Sequence, residues 1–421
     1  MGVTFLFVIL IDFSEREVTI ISMVSRQEKK GKVFVGLSGG VDSSVSAALL
    51  KRTGYDVVGV FIKAWVPDWL PCSWKDDRLD AMRVCAKLNI PFVTLNLEKE
   101  YKKEVVDYMI AEYRAGRTPN PDVMCNKRIK FGAFFDWAVK NGADFVATGH
   151  YSRIESERNE TQNDNVKVKN GEKIYKLKIS SDKEKDQSYF LWTLNQETLS
   201  RTIFPVGNME KAEVRRLARK FGLPTADKKD SQGLCFIGKV DVKEFLERYI
   251  KPKRGDVLNE RGEVIGFHDG AWFLTLGERH GFTVTKKGTS DRPLFVVGKD
   301  VKTNTVTVSP KSPEGALPIA KGEVMIKNIH WISDLGVKHL ASEVGSPSRL
   351  GNKIFARVRY RQPLQLCQLG ENRNIRGKLP FQSAPSPFSV RVTFDEPQVV
   401  AAGQSVVLYQ DDECLGGGIA I

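Results

Sequence analysis

No two cysteines of this chain stand in a C-x-x-C pair, although six are present: Cys72, Cys85, Cys125, Cys235, Cys367 and Cys414. A zinc site built from cysteines is therefore not expected. Six thiols spread over 421 residues, with no clear export signal, predict reduced cysteines in a cytosol-like compartment. Long apolar runs are also missing. The opening "MGVTFLFVILIDF" is too short to cross a bilayer and lacks the basic leading region of a secretory signal. Asp12 and Glu15 argue against a typical organelle-targeting segment, so residues 1–30 read as an extension ahead of the folded chain. There is no internal repeat and no excess of acid. Lys and Arg number 64 against 51 Asp and Glu, giving a net charge of +13. Enzymes of small metabolites need no such excess, whereas a polyanion such as nucleic acid is attracted by it.

What is present is a soluble composition, 41% hydrophobic and 27% charged, on a chain long enough for two or three domains. From Lys32 to Tyr151 strand-like and helix-like segments alternate. "KVFVGL", "DVVGVFIKAW", "PFVTLNL" and "ADFVATGHY" read as strands. "DSSVSAALLKRTG", "DDRLDAMRVCAKLN", "EKEYKKEVVDYMIAEYRAG" and "KFGAFFDWAVKNG" read as helices. On the second helix Leu79, Met82, Cys85, Ala86 and Leu88 are expected to share the buried face. Such alternation predicts an α/β, Rossmann-like domain with a parallel sheet, and ligands at the carboxyl ends of its strands. We place this domain at 31–240. The segment from Asn159 to Glu172 is a polar insertion or hairpin tip. A small mixed unit is expected over 241–316, and a C-terminal antiparallel β-barrel over 317–421.

The first strand runs into "SGGVDS", Ser38 to Ser43, and then a helix. A glycine turn of this kind exposes consecutive N–H groups at a helix start, which cradle phosphate. The lysine of the common nucleoside-triphosphate loop is absent. Asp42 is itself an anion and makes sense beside phosphate when a divalent cation lies between. A tight glycine turn capped by Asp42 and Ser43 is the bland alternative.

Two strings place cysteines in polar, turn-rich settings: "GRTPNPDVMCNKRIKF" around Cys125 and "DSQGLCFIG" around Cys235. Lys127, Arg128 and Lys130 follow Cys125 closely, and nearby cations with a helix start raise a thiol's reactivity. A small core residue is the alternative for any cysteine, and it suits Cys85 best.

"GLSGGVDSS" resembles the pyrophosphate-binding loop of the N-type ATP pyrophosphatases, the PP-loop superfamily. With both cysteine strings and "ATGHY", "KDQSYFL", "PVGNMEKAEVR", "TLGERHGF", "RYRQP" and "DECLGGGI" in order, the chain from Lys32 onward resembles the tRNA-specific 2-thiouridylases. The resemblance implies ATP-dependent formation of 2-thiouridine at the wobble position, U34, of tRNAs for lysine, glutamine and glutamate. The uracil would be adenylated with Mg2+ assisting, and sulfur delivered from a cysteine persulfide. It implies Cys235 as the persulfide carrier and Cys125 as the nucleophile that pairs with it in a redox disulfide. Asp122 is implied as acid/base, although an ordinary turn or cap residue is the plainer reading. Gly36, Leu37, Ser38, Gly39, Gly40, Val41, Asp42 and Ser43 would bind ATP, with Ile62 and Gly149 near the adenine. Asp42 would meet Mg2+ through ATP. Asn120, Pro121 and Asp122 would contact the target base. His150, Lys185, Asp186, Gln187, Arg359, Tyr360 and Gln404 would contact tRNA. The implied partners are tRNA and a sulfur donor, either a cysteine desulfurase or a sulfur-relay protein. No membrane partner, a monomer and a cytoplasmic location are expected.

A tRNA-binding module with a vestigial ATP loop would not need both cysteines. Amide-forming relatives usually carry a glutamine-hydrolysing domain, which is not evident in the sequence. Thiolation enzymes built on an iron–sulfur cluster use the C-x-x-C pairs that this chain lacks.

Overall fold

The structure, a computed structural model, describes residues 30–421 apart from 71–73, 159–172, 231–232, 234, 237, 239–240, 287–291, 313–314, 316, 334–352 and 372–388. The N-terminal extension, the polar insertion, most of the stretch "GENRNIRGKLPFQSAPSPF" and Cys72 lie outside the described residues.

The first unit begins with β1 (Lys32–Gly36), α1 (Val41–Arg52), β2 (Asp56–Lys63), α2 (Trp74–Leu88) and β3 (Phe92–Asn96). Two long helices follow, α3 over 98–114 and α4 over 121–140, and then β4 (Phe145–Ala147). β5 (Ser152–Arg158) and β6 (Lys173–Ile179) leave the sheet, and the short β7 (Thr202–Ile203) returns to it. The parallel sheet runs β3-β2-β1-β4-β7. Val33, Phe34, Val35, Val57, Val58, Val60, Phe61 and Ile62 are all buried, the continuous apolar pattern of strands covered on both faces. The chain winds one way from β1 to β2 and back to β4 on the other side. The crevice beyond the ends of β1 and β4 is thus the switch point where ligands of such sheets bind.

Helix α2 corrects the expected face. Its buried residues are Ala81, Val84 and Cys85, while Leu79 and Met82 are 42% and 37% exposed. Residues three and four apart share a helical face, and the set at 81, 84 and 85 wins because it meets the sheet. Helices α3 and α4 each contain turns widened to i→i+5 bonding, over Lys102–Asp107 and Cys125–Ala133. Such turns occur often at functional sites. In α4 the widening brings residue i+5 over residue i, which a regular helix would leave about 140° away.

A small sheet follows: β8 (Gly255–Leu258), β9 (Val264–His268), β10 (Phe282–Val284), β11 (Leu294–Asp300) and β12 (Thr305–Pro310), in the order β10-β9-β8-β12-β11. The last unit has β13 (Lys321–Trp331), β14 (Ile354–Arg357), β15 (Gln365–Glu371), β16 (Val390–Gln398), β17 (Ser405–Gln410) and β18 (Glu413–Ala420). β13 pairs with both β16 and β18, which closes the antiparallel barrel and removes its edges. The β5–β6 hairpin is not part of the parallel sheet. It pairs with β18 through Glu413↔Lys178 and Cys414↔Leu177, so it straps the first unit to the barrel.

Candidate active site

The ATP loop is built by close approach. Gly39 has φ +73°, and a Cβ there would lie 2.3 Å from the Asp77 carbonyl oxygen. Gly149, just past β4, sits so near α1 that a Cβ would meet the Ser43 nitrogen at 2.6 Å. Only glycine fits either place. The Ser43 hydroxyl accepts from the Ser38 N–H at 3.2 Å and donates to the Gly40 carbonyl at 3.2 Å, which fixes the turn. Gly36, Leu37 and Val41 carry the loop between β1 and α1, and the first N–H groups of α1 have no carbonyl a turn earlier to bond. Ile62 is the penultimate residue of strand β2 and is buried in the core.

The cation missing from the loop arrives from elsewhere in the chain. On α5 (Lys211–Lys220), Lys211 bonds both carboxylate oxygens of Asp42, at 2.7 and 2.8 Å, and Tyr151 donates to the same group at 2.8 Å. Lys211 also lies 2.9 Å from Asp230, which Lys185 and Arg215 reach at 2.8 and 2.6 Å. Burial alone would raise the Asp230 carboxyl, but bonds from Lys185 and Lys211 hold it well below the usual range. Asp42 was expected to face a metal. Here its oxygens already hold a lysine and a tyrosine, and no group of three potential metal ligands occurs among the described residues. Asp42 is thus the one loop carboxylate placed to meet a Mg2+ carried in by ATP phosphates, and it would have to exchange Lys211 for the ion. Lys211, Arg215 and Asp230 were not singled out in the sequence, since nothing local marks residues that meet across so many positions.

The thiols converge from two strings. Asn120 caps α4 by accepting from the Val123 N–H at 3.1 Å, and Pro121 occupies the first helical position, where its missing donor costs nothing. Asp122, one residue on, accepts from the Cys235 N–H at 3.2 Å and so holds the second cysteine's turn against α4. The Tyr101 hydroxyl donates to the Cys235 carbonyl oxygen. Cys125 is fully buried and lies beside Cys235 with both thiols free. Burial, then the neighbouring Cys235, push the Cys125 thiol well above its ordinary value. The Cys125 S–H donates toward Cys235, and Lys130 at 3.4 Å adds its charge, so Cys235 is held below the usual thiol range despite its burial.

This corrects the expectation for the basic run after Cys125. Arg128 turns to Glu104 at 3.5 Å and Lys127 lies on another face of the helix. Only Lys130 reaches the thiols, because the widened turn stacks it over Cys125. The beneficiary of the charge is Cys235, and Cys125 is the protonated partner.

His150 stands behind Lys130. Its Nε2 is 3.4 Å from the Lys130 ammonium, and its Nδ1 is 2.7 Å from the Thr148 hydroxyl. An ammonium only donates, so Nε2 accepts and Nδ1–H donates to Thr148. Burial and then Lys130 hold His150 well below its ordinary value, which keeps it a neutral acceptor. His150, expected on RNA, is 7% exposed in this RNA-free structure. Asp186, also expected on RNA, is likewise buried. It bonds Arg357 at 2.7 Å and accepts from the Ser180 and Ser188 N–H groups. Gln187 accepts from the Tyr151 N–H at 2.9 Å. Arg359 is exposed and bonds the Leu276 carbonyl, Tyr360 packs on Phe190, and Gln404 accepts from the Ala401 N–H.

Three family models cover most of the chain. A tRNA methyl transferase HUP domain matches 31–239, a tRNA methyl transferase PRC-barrel domain matches 243–310, and an aminomethyltransferase β-barrel domain matches 321–420. The tRNA-specific 2-thiouridylase MnmA of Enterococcus faecalis is 41% identical over 93% of this chain and 95% of its own length. The protein of the same name from Geobacillus thermodenitrificans is 42% identical over 92% and 94%. A solved 4-thiouridine synthetase–RNA complex with bound ATP is 22% identical over 52% of this chain and 50% of its own, with a TM-score of 0.29. Identity of this order over the whole described fold places the chain in the family of tRNA-specific 2-thiouridylases.

Proposed function

We propose that the chain thiolates C2 of the wobble uridine, U34, in tRNAs for lysine, glutamine and glutamate, converting ATP to AMP and pyrophosphate. The observation that carries this reading is the meeting of Cys125, Cys235 and Lys130 beyond the same sheet that presents the phosphate loop. ATP sits with its phosphates on Ser38 to Ser43 and the cations Lys185, Lys211 and Arg215 nearby. The uracil O2 attacks the α-phosphate and pyrophosphate leaves, so that a poor leaving oxygen becomes part of AMP. The base must leave its stack to reach this point, and an anticodon loop is single-stranded already.

Sulfur arrives as a persulfide on Cys235, loaded by a cysteine desulfurase or a sulfur-relay protein. Cys125 gives up its proton and attacks Cys235 Sγ. A Cys125–Cys235 disulfide forms, and hydrosulfide leaves with the bonding pair. Hydrosulfide adds to C2 and AMP departs with the former O2. The sulfane sulfur has gained the two electrons that the thiols lost, and a two-electron reductant restores them. Direct attack by the persulfide on C2, with Cys125 resolving the product, gives the same balance. In either order Lys130 favours the anionic sulfur. Asp122 places Cys235 and is the nearest carboxylate to take a proton. Asn120 and Pro121 are assigned to the target base, and Lys185, Gln187, Arg359, Tyr360 and Gln404 to RNA. A monomer in the cytoplasm completes the proposal.

Labelled sulfur tests it. With ATP, a loaded donor and unmodified tRNA, label is expected in 2-thiouridine with one AMP per sulfur. AMP formation without label in RNA would overturn the sulfur-transfer reading.

A further inference from the structure

A cavity of about 270 Å³ lies between α4, the Trp192–Thr193 segment and strands β13, β17 and β18 of the barrel. Neither thiol lines it, although it shares Asn120 with the residues assigned to the target base. Asn120, Val123 and Lys127 line it, and Val123 and Lys127, each two residues from Cys125, lie about half a turn around α4 from that thiol. Val123 packs with Trp192, whereas Cys125 packs with Tyr101 and Cys235.

Its lining is unusual for a domain junction. Trp192 Nε1 and Ser405 Oγ belong to side chains 3% and 0% exposed, and neither atom has a hydrogen-bond partner among the described residues. Thr193 Oγ1, on a half-buried residue, is likewise buried with no partner among the described residues. Buried donors left unpaired each cost about 1–3 kcal/mol, so a junction that keeps three is built to be completed by something else. His330 donates from Nε2 to the Leu194 carbonyl at 2.8 Å, and burial holds it below its ordinary value. Its Nδ1 is therefore an acceptor. Lys127 and Arg128 are exposed, Arg128 within 3.5 Å of Glu104, and no Asp or Glu lines the space itself. A neutral floor of donors and acceptors, aromatic walls from Trp192 and Tyr108, and a cationic side suit a flat heterocycle carried on a phosphate. The volume falls just under that of sites for drug-sized ligands, enough for one ring system and too little for a peptide segment.

We propose that this cavity receives a second unpaired nucleobase of the substrate RNA, not the one thiolated, with its phosphate on Lys127 and Arg128. Single-stranded RNA is read in this way, by bases splayed out against aromatic rings and bonded along their edges. The inference rests on the proposed RNA substrate. It gives α4 two duties: the thiols on one face and a register mark for the RNA on the other.

The test is a binding cycle that needs no turnover. Anticodon stem-loops, each with one loop nucleotide other than the target made abasic, are titrated against the full chain and against Trp192→Phe and Thr193→Ala/Ser405→Ala variants. The last pair keeps the aromatic packing should Trp192→Phe misfold. One abasic position is expected to weaken binding to the unaltered protein about tenfold, the loss of one buried hydrogen-bonded group. That same position is expected to cost little further in the variants. Losses that simply add at every position would overturn the cavity's role and leave it to bound water. If the unaltered protein thiolates RNA while the losses add, only this inference falls; if it binds the loops without thiolating any, the proposed function falls instead.

Discussion

Lys130 and Cys235 stand 105 positions apart in the chain, yet the ammonium and the sulfur meet at 3.4 Å. Behind the ammonium, neutral His150 accepts from it at 3.4 Å. The arrangement lowers the pKa of one of two adjacent thiols and raises that of the other, the asymmetry that the proposed sulfur transfer between them uses. Replacing Lys130 by methionine removes the charge and keeps the bulk. Alkylation of Cys235 as a function of pH then shifts to higher pH, because its thiolate loses a partner. The sign is fixed: a thiol held low in the folded chain stabilises that chain above its unfolded value and loses the stabilisation as pH falls through the folded one. The variant's fold is accordingly less favoured on the alkaline side relative to the acid side. An unmoved alkylation profile would remove Lys130 from this role.

The two cysteines are not equivalent, and their serine variants separate. Cys235→Ser abolishes thiolation while ATP binding persists. Cys125→Ser also abolishes it but leaves Cys235 able to hold the donated atom, so intact-mass measurement finds protein one sulfur heavier after incubation with donor. Loading on Cys125 in the Cys235→Ser variant, or none in Cys125→Ser, would reverse the assignment.

Lys211 supplies the charge that the loop itself lacks. Lys211→Met leaves Asp42 beside the phosphates with one partner fewer and raises the KM for ATP. The expected change is about tenfold or more, the loss of a hydrogen bond to a charged group. An unchanged KM would show that Lys211 only steadies Asp42.

Breaking the Asp186–Arg357 pair tests the seam between the first unit and the barrel. Arg357→Leu strands a carboxylate that is 2% exposed, at a cost of about 3–5 kcal/mol. Thermal unfolding reports it as a lower Tm, and pairing Arg357→Leu with Asp186→Leu is expected to recover part of the loss. A Tm within error of the unaltered chain would contradict this cost.

Much of this was legible in advance where the signal is local. The strand–loop–helix at Val33 to Leu50 and the α/β alternation stand in the structure as read, whereas Cys125, read as lying in a polar turn, is buried on a helix. What failed was phase and distance. The face of α2 was misjudged because Leu79 and Met82 look as apolar as Ala81 and Val84, and only the sheet decides between them. Lys127, Arg128 and Lys130 could not be told apart, since the widened turn of α4 changes which residue stacks on Cys125. The contacts of Lys211 and the barrel pairing of β5–β6 are long-range, and no short spacing encodes them.

A single turnover without reductant probes the shared sulfur path most directly. Loaded enzyme, ATP and tRNA are mixed, quenched with an alkylating agent and digested, and the peptides carrying Cys125 and Cys235 are examined. One disulfide joining these two residues per 2-thiouridine formed is the predicted result. Thiouridine formed in full with both cysteines still open to alkylation would contradict it.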